Sequence, residues 1–146
     1  MPNPPRPTDA ELEILTVLWS RGPATVREVH ETISSRKPTQ YTTVLKMLQI
    51  MTTKGLVVRD EANRAHVYRA ALSQDLMQSK ILKDLSKRLF AGSAAQLALH
   101  ALSMEPASDN ELAEIRALLE HKRDADSTDH SQSKNFRPIP SKKDRL

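Results

Sequence analysis

Between Thr8 and Gly22, apolar residues recur at three- and four-residue spacing: Leu12, Leu15 and Trp19, with Ile14 and Leu18 beside them. That period marks one face of an α-helix. Thr8 and Glu11 predict where it starts, because a hydroxyl and a carboxylate three residues apart satisfy each other's free backbone N–H groups. Gly22-Pro23 predicts its end. The pattern then repeats. Thr25 and Glu28 open a second helix, with Val26, Val29 and Ile33 on its apolar face, that stops near Ser35-Arg36. After Lys37-Pro38, Thr39 is the expected N-cap of a third helix over about 40–53, whose apolar face is Val44, Met47 or Leu48, and Met51. Gly55 suits the end of that helix, where the chain takes positive φ.

The period then changes. Leu56-Val57-Val58-Arg59 reads as a strand, residues 60–63 as a polar turn, and residues 65–70 alternate as a half-buried strand does. Together they predict a β-hairpin with a charged tip. Helical spacing returns at Ser73. Leu76, Ile81, Leu85 and Leu89 share one long helix ending near Gly92, and Leu97 lies on a second over about 93–102. Ser108 and Glu111 repeat the capping pair before Leu112, Ile115, Leu118 and Leu119, in a helix expected to end near His121. The expected fold class is therefore mainly α with a small β-hairpin. Residues 8–72 hold three helices and the hairpin, and residues 73–122 form a helical region. Residues 1–7, with four prolines, and the polar residues 123–146 are expected to be disordered.

Composition narrows the function classes. Aromatic residues are 3% of the 146, so the core must come from aliphatic side chains. The chain has no cysteine, which removes disulfides, thiolate metal sites and cysteine nucleophiles together. The five histidines, at 30, 66, 100, 121 and 130, are scattered, and no Gly-rich phosphate loop or nucleophile elbow is present. Ser127, Asp129 and His130 fall in the tail, where a disordered chain cannot hold catalytic geometry. An enzyme, a metal site and a cofactor are therefore not expected. The N-terminus has no apolar leader and no segment approaches the ~18 apolar residues of a membrane span, so a cytoplasmic location is expected.

The net charge is +4, and it is unevenly placed. From Arg36 to Arg69 there are seven Lys and Arg residues against Asp60 and Glu61 alone. Three helices followed by a hairpin is the order of a winged helix-turn-helix, whose third helix enters the DNA major groove and whose wing reaches the neighbouring backbone. The third helix opens with Tyr41, Thr42 and Thr43, and Lys46 follows one turn later. Those side chains suit base edges and phosphates. Arg59, Arg64 and His66 surround the hairpin tip and suit phosphates or a narrow minor groove.

Five segments, in this order and spacing, resemble the penicillinase-repressor family, the BlaI/MecI-type winged-helix regulators. They are residues 10–19 (AELEILTVLW), 25–30 (TVREVH), 41–45 (YTTVL), 54–57 (KGLV) and 64–68 (RAHVY). The resemblance runs from about Thr8 to Arg123. It implies a transcriptional repressor that binds double-stranded operator DNA as a homodimer. Thr42, Thr43 and Lys46 would then touch bases, with Tyr41 and Arg64 on the backbone. It also implies dimerisation through the C-terminal helices, where Leu85, Leu89, Leu97, Leu112, Ile115 and Leu119 lie. A two-fold dimer implies a palindromic operator. In β-lactam-responsive members a membrane sensor-protease system cleaves the repressor at an Asn–Phe bond. The corresponding place here is His100-Ala101, which carries neither residue, so cleavage is not expected to carry over. The cysteine pairs of copper-responsive members are missing too.

Two other function classes fit the same fold. A winged helix can serve as a protein-interaction module; acidic groups at positions 42, 43 and 46 would have favoured that reading. A ligand-responsive regulator without proteolytic induction would show a ligand-dependent shift in Tm.

Overall fold

A computed structural model describes residues 6–62 and 64–135, with side chains through residue 126. Helix α1 spans Asp9–Arg21, strand β1 Ala24–Thr25, α2 Val26–Ser34, α3 Tyr41–Lys54, β2 Val57–Asp60 and β3 Val67–Ala70. Three further helices follow: α4 Gln74–Leu89, α5 Ala94–Met104 and α6 Asp109–Asn135. The mainly helical class with a small β element is thus the observed one.

Each of the three capping pairs forms as the spacing predicts. Thr8 and Glu11 exchange backbone bonds at 2.9 and 3.2 Å, Thr25 and Glu28 at 3.1 and 3.2 Å, and Ser108 and Glu111 at 3.0 and 3.1 Å. The third helix starts differently. Its N-cap is Gln40, not Thr39, and Gln40 makes no side-chain cap bond. The Thr39 hydroxyl instead donates to the Lys37 carbonyl at 2.9 Å, closing the turn before the helix. At the other end Gly55 takes φ 81°, and Leu56 N–H reaches back to the Met51 carbonyl at 2.9 Å. An L side chain there would cost about 1–2 kcal/mol in backbone strain.

The sheet has three strands where the hairpin alone was expected. Its order is β1-β3-β2, all antiparallel, with Ala24 opposite Tyr68 and Val57 opposite Ala70. Two residues are too few to show alternation, so β1 is recognisable only by its partner. The first hairpin strand keeps its predicted length but starts one residue later, the second is two residues shorter, and the tip between them is longer.

The core is aliphatic, as the composition requires. Ile14, Leu15 and Leu18 of α1 meet Val29 of α2 and Val44, Leu48 and Met51 of α3, with Leu56, Val57 and Tyr68 closing the side toward the sheet. Leu48, rather than Met47, holds the buried position; Met47 is only partly covered. Trp19 packs at the edge of this core, and its indole N–H donates to the Leu72 carbonyl at 2.9 Å. That bond ties α1 to the chain leaving the wing.

One ion pair crosses the core. Lys54, at the end of α3, donates to both oxygens of Glu11, at the start of α1, at 3.0 and 3.1 Å. Glu11 is 4% exposed. Burial alone would push its carboxyl up. The Thr8 N–H and the Lys54 ammonium outweigh that and hold it below the ordinary 4.5.

Two terminal expectations need correction. Pro7 is buried, so the ordered chain begins before Thr8; residues 1–5 lie outside the described residues. The last helix runs past His121 to Asn135, into the segment expected to be disordered, and residues 136–146 lie outside the described residues. The described chain forms two compact units that divide between Ala94 and Ala95. The first contains the winged core with α4, whose Met77 joins that core. The second contains α6 and nearly all of α5.

Glu11→Gln keeps the shape and removes the charge. It should cost about 1–3 kcal/mol at neutral pH, measured by urea unfolding. A folded pKa below 4.5 stabilises the native state above that pH, and the gain is lost as pH falls through the folded value. The variant should therefore lose less stability than the wild type on acidification below 4.5. Glu28 and Glu111, held low by the N–H groups of Thr25 and Ser108, keep a residual slope of the same sign.

Candidate nucleic-acid interface

Helix α3 is anchored by one face and open on the other. Val44, Leu48 and Met51 are fully buried, which fixes the opposite side outward. Thr42, Thr43 and Lys46 stand exposed there; Tyr41 is exposed too, but at the edge of the buried face, three and seven residues before Val44 and Leu48. The same face continues with Gln49, Ile50 and Thr53, which the sequence reading passed over. They lie seven residues after Thr42, Thr43 and Lys46, so helical spacing was the available signal. Ile50 is 43% exposed, an apolar contact in an otherwise polar strip. The first turn has no side-chain cap; the Thr43 N–H donates to the Gln40 carbonyl at 3.2 Å, which leaves the Tyr41 and Thr42 N–H groups to an external acceptor.

The turn between α2 and α3 is held from the α2 side. The Thr39 carbonyl lies 2.7 Å from His30 Nε2 and accepts from Ser34 Oγ at 3.1 Å. The His30 ring also meets the Tyr41 ring edge-on, with centroids 5.6 Å apart. Arg36 and Lys37 are exposed in this turn and add charge beside the N-terminus of α3.

The wing carries the other predicted contacts. Arg64 and His66 are exposed near its tip. Arg59 sits on β2 directly opposite Tyr68, and its guanidinium is engaged within the protein. It hydrogen-bonds the Tyr68 side chain and pairs with Glu61, and both raise its pKa. Lys54 is a second exception within the basic stretch, since it turns inward onto Glu11. Arg36, Lys37, Lys46, Arg64 and Arg69 thus stand exposed on the winged unit; Arg59, also exposed, is paired with Glu61, and Lys54 with Glu11.

The residues expected to dimerise are variably open. Leu89, Leu112 and Leu119 are exposed, whereas Leu85, Leu97 and Ile115 are half-buried. Leu99, Leu102, Met104 and Leu118 are further exposed apolar residues of α5 and α6. His100 and Ala101 lie inside α5, so their peptide bond is helical rather than extended. Among the described residues no group of three His, Asp or Glu side chains is placed to hold a metal ion, and no helix is long and apolar enough to cross a membrane.

Three helices, a three-stranded sheet and a basic wing beside an open third helix define a winged-helix protein. Its sequence matches the penicillinase repressor family profile over residues 7–121, and the chain belongs to that family. It is 34% identical over 113 residues to the transcriptional regulator BlaI of Mycobacterium tuberculosis, covering 77% of this chain and 82% of that protein. It is 23% identical over 115 residues to the methicillin resistance regulatory protein MecI of Staphylococcus aureus, covering 79% and 94%. Among solved structures it is similar to the monomeric form of Bacillus licheniformis BlaI in complex with the blaP half-operator. That match has 27% identity and a TM-score of 0.45, and covers 51% of this chain and 92% of that one.

Glu61 partly neutralises the wing by pairing with Arg59. Glu61→Gln should therefore strengthen polyanion binding, shown by elution from heparin at higher salt than the wild type. Unchanged elution would mean that Arg59 stays occupied by Tyr68.

Proposed function

We propose that the chain is a cytoplasmic transcriptional repressor that binds operator DNA as a homodimer. The observation that carries this reading is α3, with one face locked in the core, the other presenting Thr42, Thr43 and Lys46 to solvent, and Tyr41 exposed at its first turn. Membership of a family of repressors, rather than enzymes, supports it. Each α3 lies in a major groove. Thr42, Thr43 and Lys46 read base edges, and a Thr methyl meets a thymine methyl. Tyr41, Arg64 and His66 lie against the sugar-phosphate backbone, which also accepts from the uncapped first turn of α3. Arg59 joins these contacts when a phosphate replaces Glu61. No chemistry follows binding; a dimer over a promoter represses by excluding polymerase.

The homodimer forms through the C-terminal helices. Leu89, Leu112 and Leu119 supply open apolar surface, flanked by the half-covered Leu85, Leu97 and Ile115. A two-fold pair requires a palindromic operator. A membrane sensor-protease partner is not part of this reading. The bond between His100 and Ala101 has neither residue of the family's cleavage site, and it lies within a helix, whereas proteases bind extended chain.

The direct test is fluorescence anisotropy with duplex DNA from upstream of the chain's own gene, beside a scrambled duplex. The wild type should prefer the native fragment, and its affinity should fall steeply with salt. Thr43→Trp should reduce that preference about tenfold or more, since one lost base contact is worth about 1–3 kcal/mol. It should leave binding to the scrambled duplex and the oligomeric state unchanged. Leu112→Glu with Leu119→Glu should halve the mass measured by light scattering and weaken operator binding. A Thr43→Trp variant that binds the operator normally would refute the assignment of α3. Binding to neither duplex at low salt would favour a protein-interaction module.

A further inference from the structure

We infer that His30 is a positioning residue for DNA recognition, fixing where α3 begins and how its first turn is presented. This inference rests on the repressor reading of α3. His30 is not on the DNA-facing surface. It lies on α2, and it is half-buried. Its ring makes two connections to the start of the recognition helix. Nε2 is 2.7 Å from the Thr39 carbonyl, the last carbonyl before the N-cap Gln40. The ring also packs edge-on against Tyr41, the first helical residue, at 5.6 Å and 75°.

The need for such a clamp follows from how α3 starts. The other capped helices of the winged unit, α1, α2 and α4, each open on a Thr or Ser side chain that accepts a backbone N–H. A cap of that kind fixes both the first residue and its φ/ψ. Helix α3 has none. Thr39 stands one position before the N-cap, and its hydroxyl donates to the Lys37 carbonyl. The buried anchors of α3 begin only at Val44, one turn further on. Residues 40–43 therefore depend on contacts from outside the helix, and those contacts come from α2. Ser34 Oγ donates to the same Thr39 carbonyl at 3.1 Å, so two α2 side chains hold one acceptor.

A carbonyl acceptor requires a donor at Nε2, so the Nε2–H form of the ring is the one bound. The arrangement leaves the Tyr41 and Thr42 N–H groups and the Thr42 and Thr43 side chains open, as a helix entering a groove needs. A serine or aspartate cap would instead fill the position where a phosphate accepts. The clamp from behind orders the turn without covering it.

The test uses the full chain with His30→Ala, His30→Gln and His30→Phe. Glutamine restores an N–H donor without the ring, and phenylalanine keeps the ring without the donor. Releasing one or two backbone residues should lower affinity for the upstream duplex about tenfold in His30→Ala. Binding to the scrambled duplex, which depends on charge, should stay within about twofold. In the free protein, amide exchange should quicken at residues 39–43 and stay unchanged in α1. His30→Gln should recover most of the preference and most of the protection, and His30→Phe less. His30→Ala with wild-type preference and wild-type exchange would overturn the inference. So would a variant that melts early and loses both affinities together, because His30 would then be a general packing residue. If the wild type itself shows no preference between the duplexes, the repressor reading falls. The exchange comparison in the free protein still decides whether His30 clamps the turn.

Discussion

A helix that must touch a partner along one side can be held only from the other. Helix α3 meets this constraint with three side chains, Val44, Leu48 and Met51, none of which has any exposed surface. Burying three such side chains contributes on the order of 1.5–3 kcal/mol each before entropy is counted. That burial also sets the rotation of the helix, because a turn of 100° would pull at least one of them out of the core. Most other features of the winged unit brace this helix. Glu11 fastens its C-terminus through Lys54, and α2 clamps the turn before its N-terminus. The three-stranded sheet packs Val57 and Tyr68 against the core from below.

The electrostatics divide along the same line. Positive charge was dense from Arg36 to Arg69, but the structure sorts it into two uses. Lys54 neutralises a buried carboxylate, and Arg59 is held between Glu61 and Tyr68. Lys46 and Arg64 remain at the surface near the predicted contacts. A count of basic residues therefore overstates the charge free to meet a polyanion, because two of the seven are already paired with acids.

What the sequence made legible was local. Capping pairs were read correctly because a hydroxyl and a carboxylate three residues apart interact within one turn. Helices were found because 3.6-residue periodicity is written in the chain, but periodicity left the exact face open: Val17 and Met77 are buried where Leu12 and Leu76 were expected to be. What stayed hidden depends on distant partners or on competition between neighbours. Strand β1 exists only because Tyr68 and Val67 lie alongside it. Lys54 reads as a surface cation until Glu11, 43 positions away, is seen against it. Thr39 had the chemistry of a cap, yet the helix begins one residue later, with Gln40 at the N-cap. His30 looked like one of five scattered histidines, because its partners are backbone and ring atoms rather than other ligands. The end of α6 was missed for another reason. Residues beyond His121 offer no apolar face, but a helix already nucleated at Ser108 gains one bond per added residue without any core.

If α3 and the wing are the surface that meets operator DNA, binding must leave its mark on their backbone. Backbone NMR of the full chain, titrated with the upstream duplex, tests this most directly. Shifts should concentrate at residues 40–50 and around the wing tip, with the outer face of α1 unmoved. Shifts confined to α5 and α6, with residues 40–50 unperturbed, would contradict it.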